Sequence, residues 1–101
     1  MMVVGCASKP IPKLSAKPTG CQVTVYRGAM PEPITVTVLG DVAASCGKHD
    51  ADSDCIRALQ DEVCKLGGNV VFEVPEKAER ETEMTLRYTG VAGAISEDTS
   101  P

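Results

Sequence analysis

From Gln22 onward the chain alternates between two periods of apolar residues, one suited to strands and one to a helix. Gln22-Val23-Thr24-Val25-Tyr26-Arg27 repeats at every second position, which predicts a first strand with Val23 and Val25, or their neighbours, taking the buried face. Gly28-Ala29-Met30-Pro31-Glu32-Pro33 predicts a turn, because two prolines do not fit a ladder interior. Ile34 to Leu39 resumes the alternation as a second strand, with Ile34, Val36 and Val38 on one face, and Gly40-Asp41-Val42 bends or bulges its end. So short a connection makes an antiparallel hairpin of these two strands the economical topology.

Ala43 to Ala51 reads as a loop, and Asp52-Ser53-Asp54 supplies an N-cap and carboxylates for the positive end of a helix. The helix is expected from about Ser53 to Leu66. Ile56, Leu59, Val63 and Leu66 form its apolar stripe, while Arg57, Asp61 and Lys65 face water. Gly67-Gly68 ends it, since a left-handed residue is needed there and a Cβ disfavours that conformation. Asn69 to Val74 is a third strand stopped by Pro75, parallel to the second through a crossover without having to be its neighbour. Glu76 to Glu83 is a charged hairpin loop. Met84 to Thr89 is a fourth strand that continues, with breaks, through Gly90 to Ile95. The expected architecture is α+β, in the order ββαββ, with a small mixed or antiparallel sheet and one helix packed on one face.

Composition changes this picture in one respect above all. The 101 residues hold five cysteines, one Phe, two Tyr and no Trp, so the core must be aliphatic and small, and crosslinks are needed to support it. A net charge of -4 gives no cationic surface for phosphates, so nucleic acid is not an expected partner. No apolar run approaches the roughly 18 residues that span a bilayer. Residues 8–19, with three prolines and three lysines, read instead as an extended tether. The expected organisation is a lipobox at 1–6, a tether at 7–20, one domain at 21–96 and a frayed tail at 97–101.

Val3-Val4-Gly5-Cys6-Ala7 resembles a bacterial lipobox. The resemblance implies cleavage by signal peptidase II before Cys6 and acylation of Cys6, and Ala7 behind it implies the outer membrane. Only five residues precede Cys6, without the basic and apolar regions of a leader, so further leader sequence upstream of Met1 is expected.

The remaining cysteines, Cys21, Cys46, Cys55 and Cys64, are even in number, which favours two disulfides made in an oxidising compartment. Cys55 and Cys64 are separated by about 13 Å of helix, too far to bond. The open pairings are Cys46–Cys55 with Cys21–Cys64, and Cys46–Cys64 with Cys21–Cys55. The first is preferred because it closes a short loop onto the first helical turn. Cys64 lies off the apolar stripe, so its partner must come from a segment crossing the outer flank of the helix. The rival reading is a metal- or redox-responsive module using Cys46, His49, Cys55 and Cys64 as ligands, although no tight Cys-x-x-Cys pair accompanies them. A Cys46–His49 nucleophile pair is conceivable, but a disulfide at Cys46 removes its thiolate. No catalytic residues and no cofactor are expected.

Leu39-Gly40-Asp41-Val42-Ala43-Ala44-Ser45-Cys46, the helix ending in Gly67-Gly68-Asn69-Val70-Val71, and Leu86-Arg87-Tyr88 to Ile95 with its Gly-rich final strand are together similar to the RcsF lipoprotein domain and to YbjQ-type small domains. The resemblance covers roughly Cys21 to Ser96. It implies a lipid-anchored outer-membrane sensor facing the periplasm, stapled by two disulfides and reporting envelope damage through contacts with barrel proteins and an inner-membrane regulator. Of the cysteines only Cys46 matches a family position. The family's other cysteines surround its last two strands, where this chain has none.

Overall fold

The strand that organises the sheet is the last one. A computed structural model of the chain describes residues 15–31 and 34–95. It contains β1 (Thr24–Val25), β2 (Thr37–Gly47), α1 (Asp52–Lys65), β3 (Val70–Phe72), β4 (Glu79–Arg80) and β5 (Thr85–Ala94). β5 pairs along its whole length with β2, antiparallel. Its other side is taken first by β4, opposite Leu86 and Arg87, and then by β3, opposite Val91 to Gly93. β1 adds to β3 in parallel, giving the order β1-β3-β5-β2. The α+β class, the single helix on a mixed sheet and the disulfide staples all hold.

Three expectations give way. The first two strands do not form a hairpin: β1 and β2 sit at opposite edges of the sheet. Both run antiparallel to β5 or parallel to a strand that does, so they point the same way, and the connection from Tyr26 to Val36 must cross the sheet. The end of it lies on the face away from the helix, where Val36 packs on Gly93 so closely that a Cβ would collide with it. Val70 and Phe72 lie on that face too and are buried. The loop expected from Ala43 begins only after Gly47, because Ala43 to Gly47 continues β2 opposite Thr85 to Thr89. The Glu76–Glu83 loop contains the short strand β4. The expected parallel relation of the second and third strands is found, with β5 between them.

The sheet face towards α1 carries Leu39, Val42, Val71, Val74, Tyr88 and Ala92, packed on Cys55, Leu59 and Val63 of the helix and on Val23. Leu39 and Val42 share that face because the register shifts between Val38 and Gly40, the bulge expected at this glycine. Leu66 is not part of the stripe; it is the C-cap and is 36% exposed. Gly67 takes the left-handed conformation at φ 82°, and Gly67 and Gly68 donate to the carbonyls of Cys64 and Val63, closing the helix as a Schellman motif. Gly68 also lies where a Cβ would come within 2.6 Å of the Gly93 carbonyl oxygen, so the chain passes β5 only because no side chain stands there. Among the described residues no helix is long and apolar enough to cross a membrane.

Candidate functional site

Each disulfide ties the helix to a different side of the fold. Cys46 near the end of β2 bonds Cys55 in the first turn of α1, with Cα atoms 5.4 Å apart. Cys21, in the segment leading to β1, bonds Cys64 near the other end of the helix, with Cα atoms 6.0 Å apart. This is the preferred pairing, and the segment holding Cys21 does cross a flank of the helix. Cys64 is nonetheless fully buried, because that segment covers it.

The same segment is strapped down by Gln60 and by two side chains expected to face water, Arg57 and Asp61. The Arg57 guanidinium donates to the Cys21 carbonyl at 3.0 Å and to Asp61 Oδ1, and Asp61 Oδ1 accepts the Gly20 N–H at 3.0 Å. Gln60 donates to the Val23 carbonyl at 2.7 Å, and the Lys17 N–H donates to the Cys64 carbonyl at 2.8 Å. Among the described residues, docking against the helix therefore begins at Lys17. The Gly20 amide, and after it Arg57, hold the Asp61 carboxyl below the usual carboxylate range.

The four-residue ligand set Cys46, His49, Cys55 and Cys64 is not assembled. Cys46 and Cys55 bond each other and Cys64 bonds Cys21, so these sulfurs have no thiolate to offer a metal. His49 is exposed in the turn after β2. The Cys46–His49 nucleophile pair fails for the same reason, and no group of three or more His, Cys, Asp or Glu side chains converges on a cation position among the described residues. Cys6, with its surrounding lipobox motif, lies outside the described residues, as do residues 7–14 of the tether and the tail from Ser96.

Sequence reasoning missed one polar cluster. Tyr88 sits on the helix-facing side of β5 and is fully buried. Its hydroxyl donates to Asp52 Oδ1 and accepts from Arg27 Nη1 at 3.1 Å, and the Arg27 guanidinium stacks over its ring at 5.3 Å. Arg27 also donates to the carbonyls of Pro75 and Glu76, so the cluster joins the segment after β1, β5, the helix start and the turn after β3. Asp52 is thereby diverted from capping: the N-cap is Ala51, with no side-chain bond. Burial, reinforced by the bond to Asp52, raises the Tyr88 hydroxyl above the usual phenol range, with Arg27 opposing. The available signal was the alternation of Leu86, Tyr88, Gly90 and Ala92, which puts a Tyr inside and obliges its hydroxyl to find a partner.

Two shallow recesses among the described residues lie close to these features. One of about 480 Å³ lies between the helix start and the turn after β3, with Asp50, Asp52, Glu76 and Lys77 on its walls and Cys55 and Leu86 at its apolar part. The other, of about 500 Å³, lies on the sheet face away from the helix, bounded by Asp41, Glu73, Arg87 and Thr89. Glu73 is held at φ 58°, in the left-handed region, where its N–H reaches the Gly28 carbonyl at 2.7 Å.

These features define a class: a disulfide-stapled α+β module whose four described cysteines are spent on structure. Comparison with protein-family models, with curated proteins and with solved structures found no match to this chain.

Proposed function

We propose that this chain is a non-enzymatic, lipid-anchored protein of the bacterial envelope, held at the outer membrane by acylated Cys6 and facing the periplasm. It acts as an RcsF-like sensor or interaction module, binding other envelope proteins through its surface rather than transforming a substrate. The observation that carries the reading is the cysteine inventory. Four of the five cysteines close two disulfides, the state of a protein matured in an oxidising compartment, and the fifth stands directly after Val3-Val4-Gly5. An acyl chain contributes about 0.8 kcal/mol per buried CH₂, so a multiply acylated Cys6 anchors firmly where a single chain would not.

The test is the mass and fractionation of the protein made in a bacterium from its own upstream DNA. Acylated Cys6 as the first mature residue, loss of membrane association on Cys6→Ala and precursor accumulation under signal peptidase II inhibition are expected. An unmodified Cys6 in a soluble, thiol-reduced protein would overturn the proposal.

A further inference from the structure

The two edges of the sheet are managed differently. β1 and β4 are two residues each, but β2 presents eleven residues at the other edge without a lysine or a proline among them. Exposed edges of that length are ordinarily blunted by such residues, because their unpaired N–H and C=O groups accept another strand.

Hydrogen bonds within the sheet reveal which groups are unpaired. The Thr85 carbonyl accepts from Glu81 and the Gly93 carbonyl from Asn69, so the odd-numbered residues of β5 direct their peptide groups towards β4 and β3. The even-numbered ones therefore face β2, opposite Val42, Ala44 and Cys46. Along β2 the peptide groups alternate, which leaves those of Asp41, Ala43 and Ser45 directed outward. None of the three bonds another described backbone group through them. Gly47, next in the same row, is already closed off: its N–H goes to Asp50 Oδ2 at 2.8 Å and its carbonyl accepts the Asp50 N–H.

We propose that this edge is where two copies of the chain pair, antiparallel, about a two-fold axis through Ala43. In that register Ala43 faces its counterpart and Asp41 faces Ser45 of the other copy, each pair exchanging both N–H···O bonds. Ser45, whose hydroxyl donates to Glu81 Oε1 of its own copy at 2.7 Å, thus faces each Asp41, and the two Asp41 carboxylates stay apart. The two other registers centred on an outward-facing residue fail. Centring on Asp41 sets two carboxylates directly opposite, which is destabilising, and centring on Ser45 requires the Gly47 N–H that Asp50 already holds.

The flanking helix permits the approach. α1 is bonded to the strap along the flank of Arg57, Gln60 and Cys64, and to β2 through Cys55. Its period therefore puts Ala58 and Glu62, and Lys65 at its last turn, on the side nearest the second copy. The paired sheets become one, with both helices on the same face. This surface does not depend on the membrane address: a monomeric chain would leave the lipid anchor standing, and an unmodified Cys6 would leave the pairing standing.

Sedimentation equilibrium of the oxidised full chain tests it, together with amide exchange. The apparent mass should double with concentration, and the amides of Asp41, Ala43 and Ser45 should exchange more slowly as it does. Ala43→Pro removes an N–H that β5 does not use, so it should give a folded monomer. Ala43→Lys and Ala43→Glu, each repelling its own copy across the axis, should be monomeric alone and should dimerise when mixed. A wild-type chain that stays monomeric, even one whose edge accepts a strand from another protein, would overturn the proposal. So would a dimer indifferent to these substitutions, or a mixture that fails to restore it.

Discussion

Removing the disulfides one at a time gives a prediction whose size follows from the topology. Cys21–Cys64 closes a loop of 43 residues and Cys46–Cys55 one of 9. In the chain-entropy account these loops restrict the unfolded state by about 4 and about 2.6 kcal/mol, so opening the longer one should cost about 1.4 kcal/mol more. Either loss is a large share of the roughly 5 to 10 kcal/mol that holds a domain of this size. Replacing each pair by alanines removes one buried sulfur from the helix and one half-buried sulfur from its partner, so the packing losses nearly cancel in the comparison. The strap makes the difference larger, since Cys21 also anchors the segment held by Arg57, Gln60 and Asp61. Urea unfolding followed by far-ultraviolet circular dichroism is the assay. With a slope of about 1 kcal/mol per molar, the midpoint of Cys21→Ala/Cys64→Ala should fall about 1.4 M below that of Cys46→Ala/Cys55→Ala. Equal midpoints, or the reverse order, would refute the argument that the longer loop and its strap dominate.

Two further outcomes are expected. Tyr88→Phe, which removes the hydroxyl bridging Arg27 and Asp52 and leaves only their direct ion pair at 3.6 Å, should cost about 1 kcal/mol in the same urea assay. Because the Tyr88 hydroxyl keeps its proton above the usual phenol value, the stability it contributes is complete below about pH 10 and is lost as pH rises through the higher folded value. Phenolate absorbance in a Tyr26→Phe background should show that late titration, and a Tyr88 that ionises at the ordinary value would contradict it. Asp61 behaves oppositely. Its carboxyl is held low, so its contribution is present above about pH 4 and is lost as pH falls through the folded value. The Gly20 amide resonance should report release of the strap in acid, and Asp61→Asn should abolish that pH dependence. An unmoved resonance would place the latch elsewhere.

What the sequence by itself determined was what local chemistry can encode. The helix came from the apolar spacing of Leu59 and Val63, and its end from Gly67-Gly68, where only a residue without a Cβ takes the left-handed cap at low cost. The last strand came from alternation through Tyr88 to Ala92. The rejection of a Cys55–Cys64 bond came from helix rise alone, and the preferred alternative from loop length.

What only the tertiary structure decided depended on partners distant in the chain. Ala43-Ala44-Ser45-Cys46-Gly47 has no strand-forming character of its own; it is a strand because Thr85 to Thr89 lies beside it and binds its peptide groups. Adjacent strands in sequence suggested a hairpin, yet β3 and β5 came between them, since the helix and the crossover each needed a face of the sheet to cover. Asp52 read as a cap, and the buried hydroxyl of Tyr88, 36 residues away, claimed its carboxylate instead. Local periodicity fixes which residues seek burial, whereas strand order and hydrogen-bond partners are set by competition among groups that meet only when the whole chain has closed.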